Sequence, residues 1–183
     1  MAVFQSWDKA LTVIEKVLDT VAAAVMFATM CIVVVDVFLR YFFNAPLSWS
    51  YELISLYLMV ALFFFCLAPG LSAHAHVAVD LLQNKMSPRL RHFCDGVGYT
   101  LSTIVFCGIV YMAFNRSWVS WVNNDAISGS IAWPTWIAHV TVTIGSIAMV
   151  LRLLFRAVGH LTSALVGRSV IALPPLAGSG EVE

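Results

Sequence analysis

Charge is what this sequence has least of. Lys and Arg number 10, Asp and Glu 10, and formal net charge is zero over 183 residues, so that only 11% of the chain is charged, against roughly 25% in soluble domains. Hydrophobic residues reach 61%, and a chain with so little to offer water reads as a membrane protein. Basic residues form no run, which excludes the clustered positive face that nucleic acid requires. Cysteine is also sparse, and badly placed for disulfides. Cys31, Cys66 and Cys107 lie inside apolar runs and Cys94 in a connection expected to face the cytoplasm, so small-residue packing is the role expected of them. A signal peptide is disfavoured because Arg-Tyr-Phe-Phe, not a small-residue cleavage site, follows a first apolar run long enough to stay as an anchor.

What is present is an all-α pattern with four apolar spans, at about 17–39, 53–71, 97–118 and 135–155. Residues 1–16 precede them. There Phe4, Trp7, Leu11, Ile14 and Leu18 alternate spacings of three and four while Asp8, Lys9, Glu15 and Lys16 fall elsewhere on the wheel, the pattern of an amphipathic helix lying among lipid headgroups. The same face would also suit a docking helix. Within the first span Asp36 precedes Arg40 by four residues, the favourable order for an acid–base pair on one helix face.

The break between the first two spans is sharply punctuated. Asn44-Ala45-Pro46 stops a helix because proline lacks an amide hydrogen; Ser48 or Ser50 can then cap a new one, with Glu52 in its first turn. Pro69-Gly70 marks the end of the second span or a kink near it. In the second connection Val77, Leu81 and Leu82 suggest a short surface helix, and Ser87-Pro88 reads as a cap followed by proline at the first helical position. Small residues such as Ala61, Gly108 and Gly145 suit helix packing. After Arg156 periodicity fades, and 159–183 is expected to be a largely disordered tail outside the 17–158 membrane domain.

Counting basic residues sets an expected orientation. With the N-terminus inside, Lys9, Lys16, Lys85, Arg89, Arg91, Arg152, Arg156 and Arg168 are cytoplasmic, leaving Arg40 and Arg116 outside, so both termini are expected in the cytoplasm. Trp49, Trp118, Trp121, Trp133 and Trp136 then gather at the outer interface.

No enzyme class finds its residues. His74-Ala75-His76 with Asp80 falls short of a closed metal site. Facing mid-membrane histidines for a haem are not evident, since only His139 lies within a span. No local Ser-His-Asp signature occurs. No cofactor is therefore expected, and the mid-span content of Val, Ala, Met, Phe, Leu and Ile lacks the polar groups of a self-sufficient transporter.

The run LRYFFNAPLSWSYEL, with HVAVDLL further on, closely resembles the small membrane subunit of tripartite ATP-independent periplasmic (TRAP) transporters, the DctQ-like family, over the four-span plan. Its most specific residues are Arg40, Tyr41, Asn44, Pro46, Trp49, Ser50, Glu52 and Leu53, with His76, Val79 and Asp80 as a second block. The resemblance implies a non-catalytic scaffold in the bacterial inner membrane. Its implied partners are a large membrane subunit, a periplasmic binding protein delivering organic acids, and membrane lipids, with uptake driven by an ion gradient such as sodium. Ala73-His74-Ala75 stands where many relatives have a basic residue before the histidine. Thr143 stands where a second proline often precedes the glycine of the fourth span, which suggests a straighter last helix.

On that reading Arg40 and Glu52 pair with each other, with Asp36 or with the large subunit, or else serve as headgroup contact and dipole cap. Trp49 is an interface anchor or an intersubunit contact, and His76 and Asp80 share a helix-face hydrogen bond. The competing class is a small independent carrier binding a cation or proton at Asp36 and Glu52.

Overall fold

The computed structural model describes residues 2–73, 87–129 and 131–166. All four expected spans are helices long and apolar enough to cross a membrane, and each is longer than its apolar core: α1 (Ala2–Phe43), α2 (Ser50–Ser72), α3 (Pro88–Val122) and α4 (Trp136–Val166). Two two-residue strands, β1 (Ala126–Ile127) and β2 (Trp133–Pro134), pair antiparallel in the α3–α4 connection. The α1–α2 and α3–α4 connections mark one end of the bundle, here the hairpin end. The start of α1, the end of α2, the start of α3 and the end of α4 mark the other, the terminal end.

Helix α4 is the central element, touching each of the other three. Its most apolar window is 39% buried, against 11% for each of the others. The core lies where α4 meets α1 and α2 and comprises Leu18, Ala68, Leu71, Ala148, Met149 and Leu153, with Phe65, Tyr99 and Phe106 packed against it. Close approach is written into two glycines. A Cβ on Gly145 would sit 2.5 Å from the Phe64 carbonyl oxygen, and one on Gly96 2.8 Å from Leu161 Cδ2, so α2 and α3 both meet α4 nearly backbone to backbone. Gly108 has open space around it, so it is not used for packing between helices of this chain.

Outward faces carry Phe27, Val34, Ile104, Val105 and Met112, all well exposed. In water that surface would be an association hazard; in a bilayer it faces its own solvent. Hydroxyls within the spans bond to their own helix four residues back, as Thr29 does to Val25, Thr103 to Tyr99 and Thr143 to His139, which satisfies them without a partner helix. Ser146 is fully buried, and its Oγ has no such bond.

Several expected boundaries move. Residues 2–16 do not form a separate helix but continue into the span, giving 42 residues, about 63 Å at 1.5 Å per residue, roughly twice a ~30 Å hydrocarbon core. The face turned to the bundle is Leu11 and Glu15 in this extension, continued by Leu18 and Ala22 in the span, whereas Trp7 and Ile14 stay exposed. The fourth helix runs to Val166, past the point where periodicity fades. Pro69 lies inside α2, which ends three residues later at Ser72.

Candidate functional site

Helix α1 ends at Phe43 because Asn44 takes a left-handed conformation, φ 50°, before proline is reached. Asp36 then organises the turn. Its Oδ2 accepts from Arg40 Nη2 at 2.6 Å and its Oδ1 from the Leu47 amide at 2.7 Å, so one nearly buried carboxylate ties the last turn of α1 to the chain beyond Pro46. Arg40 also lies in the last helical turn, where a cation meets the negative end of the dipole. Expected capping by Ser48 or Ser50 is absent: Trp49 holds the cap position with no side-chain bond, and Ser50 is buried with its hydroxyl donating to the Leu47 carbonyl at 2.8 Å. Ser87 likewise precedes Pro88 at the start of α3 without a side-chain cap bond.

Glu52 occupies the first turn of α2 as expected, but it faces the α3–α4 connection and not Arg40. Trp133 Nε1 donates to its Oε2 at 2.9 Å, and Gly129 packs so closely on the carboxylate that a Cβ there would require the Glu52 carboxylate to move. A π-helical segment, Ile54–Leu58, follows. Tyr57 within it donates to the Pro134 carbonyl at 2.6 Å, its ring against Trp133. The connection itself begins with a left-handed Asn124, φ 51°, and the Asn124 and Asp125 amides return to the Trp121 and Ser120 carbonyls, closing the end of α3 in a Schellman motif. Trp49, Trp118, Trp121, Trp133 and Trp136 all lie at this end. Around it Tyr41, Phe42, Phe43 and Tyr51 are strongly exposed. Trp118, Trp121 and Trp136 line the mouth of an apolar groove between α3 and α4.

The terminal end holds a second polar cluster, built on Arg152. Its Nη1 donates to Asp8 at 2.6 Å and its Nη2 to Glu15 Oε2 at 3.0 Å. Its Nε donates to Ser72 Oγ at 2.6 Å. The Ser72 hydroxyl in turn donates to Glu15 Oε2 at 2.7 Å, so cation, hydroxyl and carboxylate close a triangle joining α4, α2 and α1. One turn on, Arg156 donates to the Ser72 carbonyl at 3.3 Å and to Tyr99 Oη at 3.2 Å, bringing in α3. The Arg152 and Glu15 side chains are only 9% and 7% exposed. The charges are thus removed from water, a large cost offset by their attraction and by the hydrogen bonds that surround them.

Arg152 and Arg156 were counted among the cytoplasmic charges and Glu15 placed off the apolar stripe of its helix; all three are buried. The signal that could have exposed this is the helix length. Once α1 extends past its apolar core, Glu15 falls on a stripe facing Arg152, which lies inside the fourth span. His92 and His160, passed over because neither lies within an apolar span, also face each other here, with Nδ1 atoms 3.1 Å apart. His76 and Asp80 lie outside the described residues. Among the described residues no group of three or more His, Cys, Asp or Glu is placed to hold a metal.

None of the curated proteins matches the chain. The family described as "Tripartite ATP-independent periplasmic transporters, DctQ component" matches residues 29–163.

Proposed function

The chain belongs to the DctQ family of TRAP transporter components, and on that premise we propose that it is a non-catalytic scaffold in the bacterial inner membrane. It holds the stationary part of a large membrane subunit while that subunit takes up organic acids, driven by an ion gradient with sodium as the coupling ion. Both termini lie in the cytoplasm, and the hairpin end faces the periplasm, where a binding protein delivers substrate. Arg40, Tyr41, Asn44, Pro46 and Trp49 form the assembly surface at that end, and Glu52 fixes its shape from beneath. His76 and Asp80 contribute on the cytoplasmic side.

One observation carries this reading: the polar groups at both ends are engaged with one another, while the spanning faces turned outward are apolar. Such a surface suits lipid and a partner's helices. A cation bound at Asp36 and Glu52 would have to displace Arg40, the Leu47 amide and the Trp133 indole, so the same geometry counts against an independent carrier. The test is reconstitution. Vesicles holding this chain and the large subunit, supplied with the binding protein, should take up substrate under a sodium gradient. Either subunit alone should not, and uptake by this chain alone would overturn the reading.

A further inference from the structure

Neither the hairpin nor the Arg152 triangle uses the two most deeply placed imidazoles. His92, in the second turn of α3, is 4% exposed and His160, near the end of α4, 1%. Their Nδ1 atoms are 3.1 Å apart and their ring planes inclined by 46°. The Tyr99 ring covers His160 from the next turns of α3, centroids 5.4 Å apart, and Arg156 caps the Tyr99 oxygen. Gly96, pressed on Leu161 one turn away, brings the two backbones so close that the rings have little room to part.

Two Nδ1 atoms at this distance need one hydrogen between them. With both rings neutral, one carries its proton on Nδ1 and donates, while the other carries it on Nε2 and accepts. One added proton bonds to the bare Nε2 of the donor ring, giving an imidazolium–imidazole pair in which the Nδ1–H···Nδ1 bond survives. A second added proton, taken from solvent, places hydrogen on both Nδ1 atoms and a positive charge on both rings; donor then faces donor and the contact breaks. Asp95 on α3 interacts electrostatically with His92 and can offset charge on that ring, but it supplies no acceptor between two Nδ1–H groups. Arg91 on α3 and Arg156 on α4 add positive charge, Tyr99 is engaged by Arg156, and the acid of α1, Glu15, is already held by Arg152 and Ser72.

We propose that His92 and His160 form a proton-operated latch between α3 and α4, closed while the pair holds at most one added proton and opened by the second. Because Tyr99 and Arg156 link the pair to Ser72 on α2, opening it loosens the packing of the terminal end. On the topology proposed above the proton comes from the cytoplasm, but the latch does not depend on that assignment.

The test compares the full chain in lipid nanodiscs with His160→Asn, whose amide can occupy the Nδ1 position and hydrogen-bond without titrating. From about pH 8 to about pH 5, the range in which imidazoles change charge, the wild-type Tm should fall by about 2–4 °C or more relative to the variant, the size of one lost buried interaction in a chain of this length. Equal losses in the two proteins would overturn the latch. Should the variant not fold, 15N spectra of histidine-labelled wild type decide the question. One protonated and one bare Nδ1 at neutral pH, lost together on acidification, support it; two rings with the tautomer mixture of free imidazole sink it.

Discussion

At the hairpin end Asp36 finds Arg40 four residues on and the Leu47 amide eleven residues on; at the terminal end Arg152 finds Glu15 137 residues back and Asp8 144 back. The chemistry is the same, a carboxylate meeting a guanidinium, but the consequences differ. The local pair can form as soon as α1 is helical, and its arginine remains 59% exposed, so solvent screens it. The remote pair exists only when α1, α2 and α4 are assembled, and both partners are buried. A local pair shapes a turn, whereas a remote buried one favours an arrangement of helices, because a packing that separates Arg152 from Glu15 leaves buried charge uncompensated.

The largest effect expected from that contrast is at Arg152. Replacing it with Met strands Glu15 as a buried, uncompensated carboxylate and should cost about 3–5 kcal/mol, while the double variant Arg152→Met with Glu15→Gln should recover much of the loss. Thermal unfolding in detergent reads both, and a single variant as stable as wild type would erase the distinction between the ends. Next comes Gly145→Leu, which drives a side chain into the Phe64 carbonyl and should destabilise by about 1–3 kcal/mol. Gly108→Ala, in open space, should be neutral or stabilising by up to about 1 kcal/mol.

At the hairpin end Asp36→Ala should cost about 1–3 kcal/mol through the lost Leu47 bond and an orphaned amide. Arg40→Gln should cost about 1 kcal/mol at most, so a larger loss at Arg40 than at Asp36 would reverse the assignment of the organising residue. The charge exchange Arg40→Glu with Glu52→Arg should give no mutual rescue of subunit co-purification, since the two residues serve different partners. Glu52→Gln should cost a similar amount, about 1 kcal/mol, best seen as a change in tryptophan emission as the Trp133 indole loses its charged acceptor. Unchanged emission would show that this contact does not persist in solution.

How much could be read beforehand follows the same division. The four spans, the Asp36–Arg40 spacing and the helix start at Pro88 were legible because each depends on residues within a turn or two. The site was half legible. Glu52 could be placed in the first turn of α2, but its partner, 81 residues away, could not. Glu15 was misassigned because a helical wheel knows only its own helix, and the stripe that faces neighbours need not be the most apolar one.

Composition and periodicity by themselves determined that this chain is a bundle of four membrane-crossing helices, because apolar length and the need to satisfy backbone groups in lipid leave no alternative. Only the tertiary structure decided which polar residues meet. Arg152 with Glu15, His92 with His160 and Glu52 with Trp133 are set by helix registry across the bundle. That registry depends on where Gly145 and Gly96 allow close approach, which no local pattern encodes.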